Sequence, residues 1–130
     1  MSQENVEIMR RLHEAYPRAD WESVAASFDP DVFVRTDPRW PEQFIFGRQA
    51  WVDNLRGMWE SVGGDARIEG IVDLGDRVLV RFGFGMHGQQ SGIEGEQSVS
   101  EIATVRGGRS IFVEYFLDHE QALKAVGLAE

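Results

Sequence analysis

Apolar residues recur every three or four positions over the opening of the chain and every second position over its later half. That change of period predicts helices first and strands afterwards. Val6, Met9, Leu12, His13 and Tyr16 share one face of a helix running from Gln3 to Tyr16, with Ser2 as its cap and Pro17 near its end. Asp20 caps a second helix, Trp21 to Phe28, which Asp29-Pro30-Asp31 stops. Val32 to Thr36 reads as a strand. The stretch from Asp37 to Phe46, with Pro38 and Pro41, reads as a loop returning in a short strand at Phe44 to Phe46. Gly47 precedes a third helix, Arg48 to Ser61, and Gly63-Gly64 ends it. Strands follow over Ala66 to Leu74, Arg77 to His87 and Glu94 to Val105, with turns at Gly75-Asp76 and Gly88 to Gly92. Asp118-His119-Glu120-Gln121 opens a last short helix that closes at Gly127.

The stretch from Glu94 to Leu117 is the most informative, a long hairpin turned by Arg106-Gly107-Gly108-Arg109. In its first arm Val99, Glu101, Ala103 and Val105 share one face, and Ser98, Ser100, Ile102 and Thr104 the other. In its second arm Ile111, Val113, Tyr115 and Leu117 oppose Phe112, Glu114 and Phe116. Both faces are apolar, so the sheet needs a covering partner on each side. Glu101 falls among apolar neighbours, where a carboxylate either finds arginine or tyrosine donors or has its pKa pushed upward. Tyr115 is one strand away and within reach as a donor. The competing reading of Glu101 is a structural ion pair.

The chain has 130 residues, 42% hydrophobic and 27% charged, the size and composition of one folded domain. A net charge of −9 opposes nucleic acid and anionic lipid as partners. With no cysteine there are no disulfides, thiolate metal sites or cysteine nucleophiles. The opening MSQENVEI is no secretory signal and no apolar run is long enough to span a membrane, so a soluble cytoplasmic protein is expected. His13, His87 and His119 lack metal-ligand spacing, and Gly83, Gly85 and Gly88 serve the bend of a strand and not a phosphate. Any catalysis is therefore expected to be acid–base chemistry without cofactor or metal.

The segments SQENVEIMRRLHEAY, RADWESVAASFDPDV, GRQAW, GDRVLVRF, VRGGRSIFVEYFLD and EQALKAVGL, in this order, resemble the SnoaL-like branch of the nuclear transport factor 2-like superfamily. The resemblance spans the chain and implies an α+β fold. A strongly curved antiparallel sheet wraps around the N-terminal helices as a cone with an apolar pocket, and members commonly pair through the outer sheet face. Homodimerisation is thus expected, with Phe112 and Phe116 at the contact. The family hosts isomerases, cyclases, dehydratases and proteins without chemistry, so fold does not decide activity.

Against ketosteroid isomerase, Glu101 matches the carboxyl kept neutral to donate a hydrogen bond. Asp37, before Pro38, matches the general base if one residue is inserted; without a gap the position is Thr36. The oxyanion tyrosine of that enzyme falls on Leu12, a departure, with Tyr16 one turn further along the same face. Against SnoaL-type cyclases, Asp118 matches an acid/base aspartate, although a helix cap explains it equally well. The catalytic candidates are therefore Glu101, Asp37 and Asp118. The expected ligand-binding set is Tyr16, Tyr115, Trp40, Trp59, Leu12 and Val99, with Trp51 a further aromatic available to a cavity. The function expected is binding of a small apolar molecule, with proton transfer next to a carbonyl. The alternatives are a non-catalytic binding or dimerisation domain and a protein-interaction module on the outer sheet face.

Overall fold

The computed structural model describes residues 2–87 and 94–128. The turn expected over Gly88 to Gly92 lies outside them, as do the side chains of Ser2, Met86, His87, Glu94 and Glu96. The elements in chain order are α1 (Ser2–Ala15), α2 (Trp21–Ala26), β1 (Phe28–Arg35), β2 (Phe44–Phe46), α3 (Arg48–Val62), β3 (Ala66–Asp73), β4 (Arg77–His87), β5 (Glu94–Arg106), β6 (Arg109–Phe116) and α4 (His119–Ala125). Asp20 caps α2, its carboxylate accepting from Ser23 N–H at 3.2 Å. Phe28, expected to end that helix, instead begins β1. Ser27 caps α2 and its carbonyl accepts Ser110 N–H at 2.9 Å, which commits the chain to the sheet one residue later.

The strands form one curved sheet in the order β2-β1-β6-β5-β4-β3. Every pairing is antiparallel except β1 with β6, which is parallel. The chain crosses from β1 to β6 through everything in between, so alternation within the strands carries no sign of that direction. α1 and α3 pack on the concave face. There Met9, Leu12, Trp51, Val78, Val80, Val99, Ala103, Val113 and Tyr115 form the main core. The opposite face is covered by α4, whose Ala122 packs with Leu79 and Ile102. Both faces of the β5–β6 hairpin are thus covered, by different helices.

Gly107 and Gly108 take φ values of +60° and +80° in the hairpin turn, a conformation that side chains disfavour. Beyond the turn Arg106 faces Arg109 and Val105 faces Ser110, but Thr104 already faces Phe112. One residue, at Ile111, is extra on β6, a β-bulge. Without it Glu101 would stand opposite Glu114, and Tyr115 would point to the other face. With it Glu101 stands opposite Tyr115. No helix among the described residues is long and apolar enough to cross a membrane.

Candidate functional site

The concave face of the sheet and the helices it wraps leave a cavity of about 70 Å³ between them. Its wall is aromatic, from Tyr16, Trp40, Trp51, Phe82, Phe84 and Tyr115, completed by Leu12, Leu55, Met58 and Val99. Trp40, Met58, Val62 and Phe84 also border a shallower cleft between α3 and the sheet.

One end of the cavity is polar. Tyr115 O–H donates to Glu101 Oε2 at 2.7 Å, and His13 Nε2 lies 2.8 Å from Glu101 Oε1. Glu101 is only 1% exposed, so each carboxyl oxygen answers to one protein partner where water cannot. The three residues come from β5, β6 and α1. Cross-strand register brings Tyr115 to Glu101. His13 reaches them because it follows Leu12 on the buried face of α1, where it packs against the Phe82 ring at 4.9 Å between centroids. Burial, then the Glu101 charge and its hydrogen bond, hold the Tyr115 phenol well above the usual tyrosine pKa, so it is the donor of the pair. Burial also pushes Tyr16 up to about 12. The Tyr16 hydroxyl donates to the Leu55 carbonyl at 3.5 Å, a long contact that leaves most of its hydrogen-bonding capacity unused.

Leu12, Tyr16, Trp40, Val99, Glu101 and Tyr115 meet around one space. Trp59 does not line it. Its indole N–H donates to the Pro17 carbonyl at 3.4 Å and its ring meets Trp21 edge-on, so it fills the seam between α2 and α3. Asp37 and Asp118 also stand outside the cavity wall. Both carboxylate oxygens of Asp37 are taken by Arg39, through Nε at 2.8 Å and Nη2 at 2.9 Å, and by the backbone N–H groups of Arg39 and Leu117. The Arg39 fork, ahead of those backbone donors, holds this carboxyl far below the usual aspartate range. That saturation leaves no lone pair directed at a substrate proton. The Asp37 carbonyl accepts Trp40 N–H at 2.9 Å, so the residue shapes the turn that delivers Trp40 to the cavity wall. Asp118 is an exposed helix cap, its Oδ1 accepting Glu120 N–H at 3.0 Å.

Sequence reasoning weighed His13 only as a metal ligand. The signal that marks it is a titratable ring on the apolar stripe of an amphipathic helix. A second feature concerns Trp51, which is 2% exposed. Its Nε1–H is, among the described residues, a buried side-chain donor without an acceptor. Such a donor costs about 1–3 kcal/mol in desolvation. Among the described residues no cluster of three histidine or acidic side chains is arranged to hold a metal ion.

The chain belongs to the SnoaL-like domain family, whose model matches residues 9–113. No curated protein matches it. Among solved structures it is similar to a nuclear transport factor 2-like protein of Burkholderia xenovorans LB400, at 23% identity over 95% of both chains and a TM-score of 0.75. It is also similar to an LEH-like epoxide hydrolase of M. tuberculosis, at 19% identity over 95% of this chain and 90% of that one, with a TM-score of 0.76. A third is a protein of Catenulispora acidiphila with a ketosteroid isomerase-like fold, solved in complex with trimethylamine. It has 15% identity over 94% of this chain and 93% of that one, with a TM-score of 0.75. At these identities the likeness shows the fold.

Proposed function

We propose that this protein binds a small, uncharged, mostly apolar molecule in the cavity and moves a proton at a carbon next to its carbonyl, in an isomerisation, cyclisation or dehydration. The observation that carries the reading is the buried His13–Glu101–Tyr115 chain at the polar end of an otherwise apolar cavity. Glu101 orients the imidazole through Nε2, and Tyr115 orients Glu101. Nδ1 is then the ring nitrogen left to take the proton from the substrate carbon and return it elsewhere, with Glu101 balancing the charge that forms on the ring. The Tyr16 hydroxyl serves the developing enolate oxygen. On the same fold, the relatives include an epoxide hydrolase and a protein holding trimethylamine, which supports a cavity for small molecules.

The test is ligand-observed NMR with a panel of small cyclic ketones and epoxides, followed by His13→Asn. Saturable binding that perturbs the His13 ring resonances supports the reading. Binding that leaves those resonances unmoved, or no binding at all, overturns it. Ketone binding without any turnover favours the non-catalytic binding domain instead.

We also propose a homodimer through the outer face of β2, β1 and β6. Phe33 stacks on Phe44, Phe46 and Phe112 at centroid distances of 5.8, 4.4 and 5.5 Å, while Phe44 and Phe46 are 57% and 71% exposed. A stacked aromatic row of this kind on a sheet edge suits a second copy of itself. Phe116 lies elsewhere, half-buried against the α4 cluster with the Arg35 guanidinium over its ring at 6.0 Å.

A further inference from the structure

We infer that Trp40 sets the size of molecule this cavity accepts, as a fixed outer wall that admits a single ring and turns away a fused pair. The inference rests on the cavity being a small-molecule site, as proposed above. Four side chains border both the cavity of about 70 Å³ and the cleft of about 490 Å³ beside α3: Met58, Val62, Phe84 and Trp40. The first three belong to α3 and β4. Trp40 comes from the loop between β1 and β2. There Pro38, Arg39, Pro41, Glu42 and Gln43 are exposed and Trp40 alone is half-buried, its ring 5.9 Å from that of Tyr115 between centroids.

Loops often yield to a ligand, but this one is tied down. Thr36 N–H donates to the Gln43 carbonyl at 2.9 Å, which closes its base. The Asp37 carboxylate accepts Leu117 N–H at 2.8 Å, fastening the loop to the end of β6, and it also grips Arg39, the residue before Trp40. The Asp37 carbonyl takes Trp40 N–H at 2.9 Å. Pro38 and Pro41 have fixed φ and reduce the freedom of the residues before them, Asp37 and Trp40. Swinging the indole outward gives up its contact with Tyr115 and strains this network, so a bulky molecule meets a wall and not a lid. The space behind the wall is far smaller than the roughly 300–1,000 Å³ usual for sites of drug-sized molecules. A larger ring offers more apolar area to bury, which favours binding, but forcing it into a packed space costs more than the added area returns. Trp40 therefore decides against molecules that the greasy wall alone would prefer.

The experiment titrates cyclopentanone and decalone, a single ring and a fused pair that carry the same carbonyl group, into the unmodified protein, Trp40→Phe and Trp40→Ala, followed by ligand-observed NMR. Cyclopentanone should bind the unmodified protein about tenfold more tightly than decalone, against the order that apolar area alone gives. Trp40→Phe should narrow that gap about threefold, and Trp40→Ala should abolish or reverse it. A loss of stability alone weakens both ketones together, so the ratio of the two affinities is the readout. Decalone binding the unmodified protein as tightly as cyclopentanone, or a ratio that both variants leave unchanged, overturns the inference and leaves the small-molecule reading standing. If the alanine protein does not fold, the phenylalanine protein decides by the same ratio. Failure of both ketones to bind the unmodified protein overturns the small-molecule reading and this inference with it.

Discussion

His13 Nε2 and Glu101 Oε1, 88 positions apart in sequence, meet at 2.8 Å in the wall of the cavity. The contact ties α1 to the centre of the sheet, and its removal has structural as well as chemical consequences. Glu101→Ala leaves the Tyr115 hydroxyl and the His13 ring nitrogen without their buried partner. We expect a loss of about 2–4 kcal/mol by urea denaturation. Glu101→Gln keeps an acceptor and the side-chain volume, so its loss should be near 1 kcal/mol. Equal costs for the two variants would mean that the carboxylate itself, with its charge and second acceptor oxygen, and not side-chain volume, is what Glu101 supplies.

Asp37 is expected to act on stability and not on chemistry. Its folded-state pKa is depressed, so its contribution is complete above the unfolded aspartate value of about 3.9 and is lost as pH falls further. Asp37→Ala should cost about 2 kcal/mol at neutral pH, with the difference from the unmodified protein shrinking below about pH 4. Arg39→Ala should cost less than Asp37→Ala, because its guanidinium is largely exposed and the two backbone donors remain. A pH-independent Asp37→Ala effect would contradict this assignment.

Both tyrosines of the chain have raised pKa values, Tyr16 up to about 12 and Tyr115 higher than its ordinary value. A raised folded pKa gives stability that is complete below the unfolded value of about 10 and is lost as pH rises through the folded one. Ultraviolet titration should therefore show almost no phenolate in the native protein at pH 10.5, and its appearance should coincide with alkaline unfolding. Ordinary titration of one phenol near pH 10 in the folded protein would place that hydroxyl in water.

The outer aromatic row gives a prediction about assembly. Phe46→Asp should convert a dimer to a monomer in sedimentation at micromolar concentration without lowering the monomer's own stability, since Phe46 is mostly exposed. A monomeric unmodified protein under those conditions contradicts the dimer.

Much of this arrangement is legible before any coordinates, and the rest fails for identifiable reasons. Alternation in β5 and β6 places Glu101 and Tyr115 on buried faces, and two glycines announce the turn between them. What alternation does not carry is the bulge at Ile111, which alone makes the two residues face each other. The parallel partnership of β1 with β6 is equally silent, because local pattern fixes a strand and not its neighbour. Asp37 misleads because an aspartate before a proline has one sequence appearance whether it is free or clamped, and its neighbour Arg39 settles the matter only in three dimensions. Position on the helical stripe marks His13 as buried, but its partner comes from a strand 88 residues away.

The most direct measurement is solvent deuterium uptake at the carbon next to the carbonyl of a small cyclic ketone, followed by NMR with the unmodified protein and with His13→Asn. A working His13–Glu101 pair should speed uptake over buffer, and His13→Asn should remove about 100-fold or more of that acceleration while the protein stays folded. Uptake no faster than buffer for a ketone shown to bind, or acceleration unchanged in His13→Asn, would contradict proton transfer by this pair.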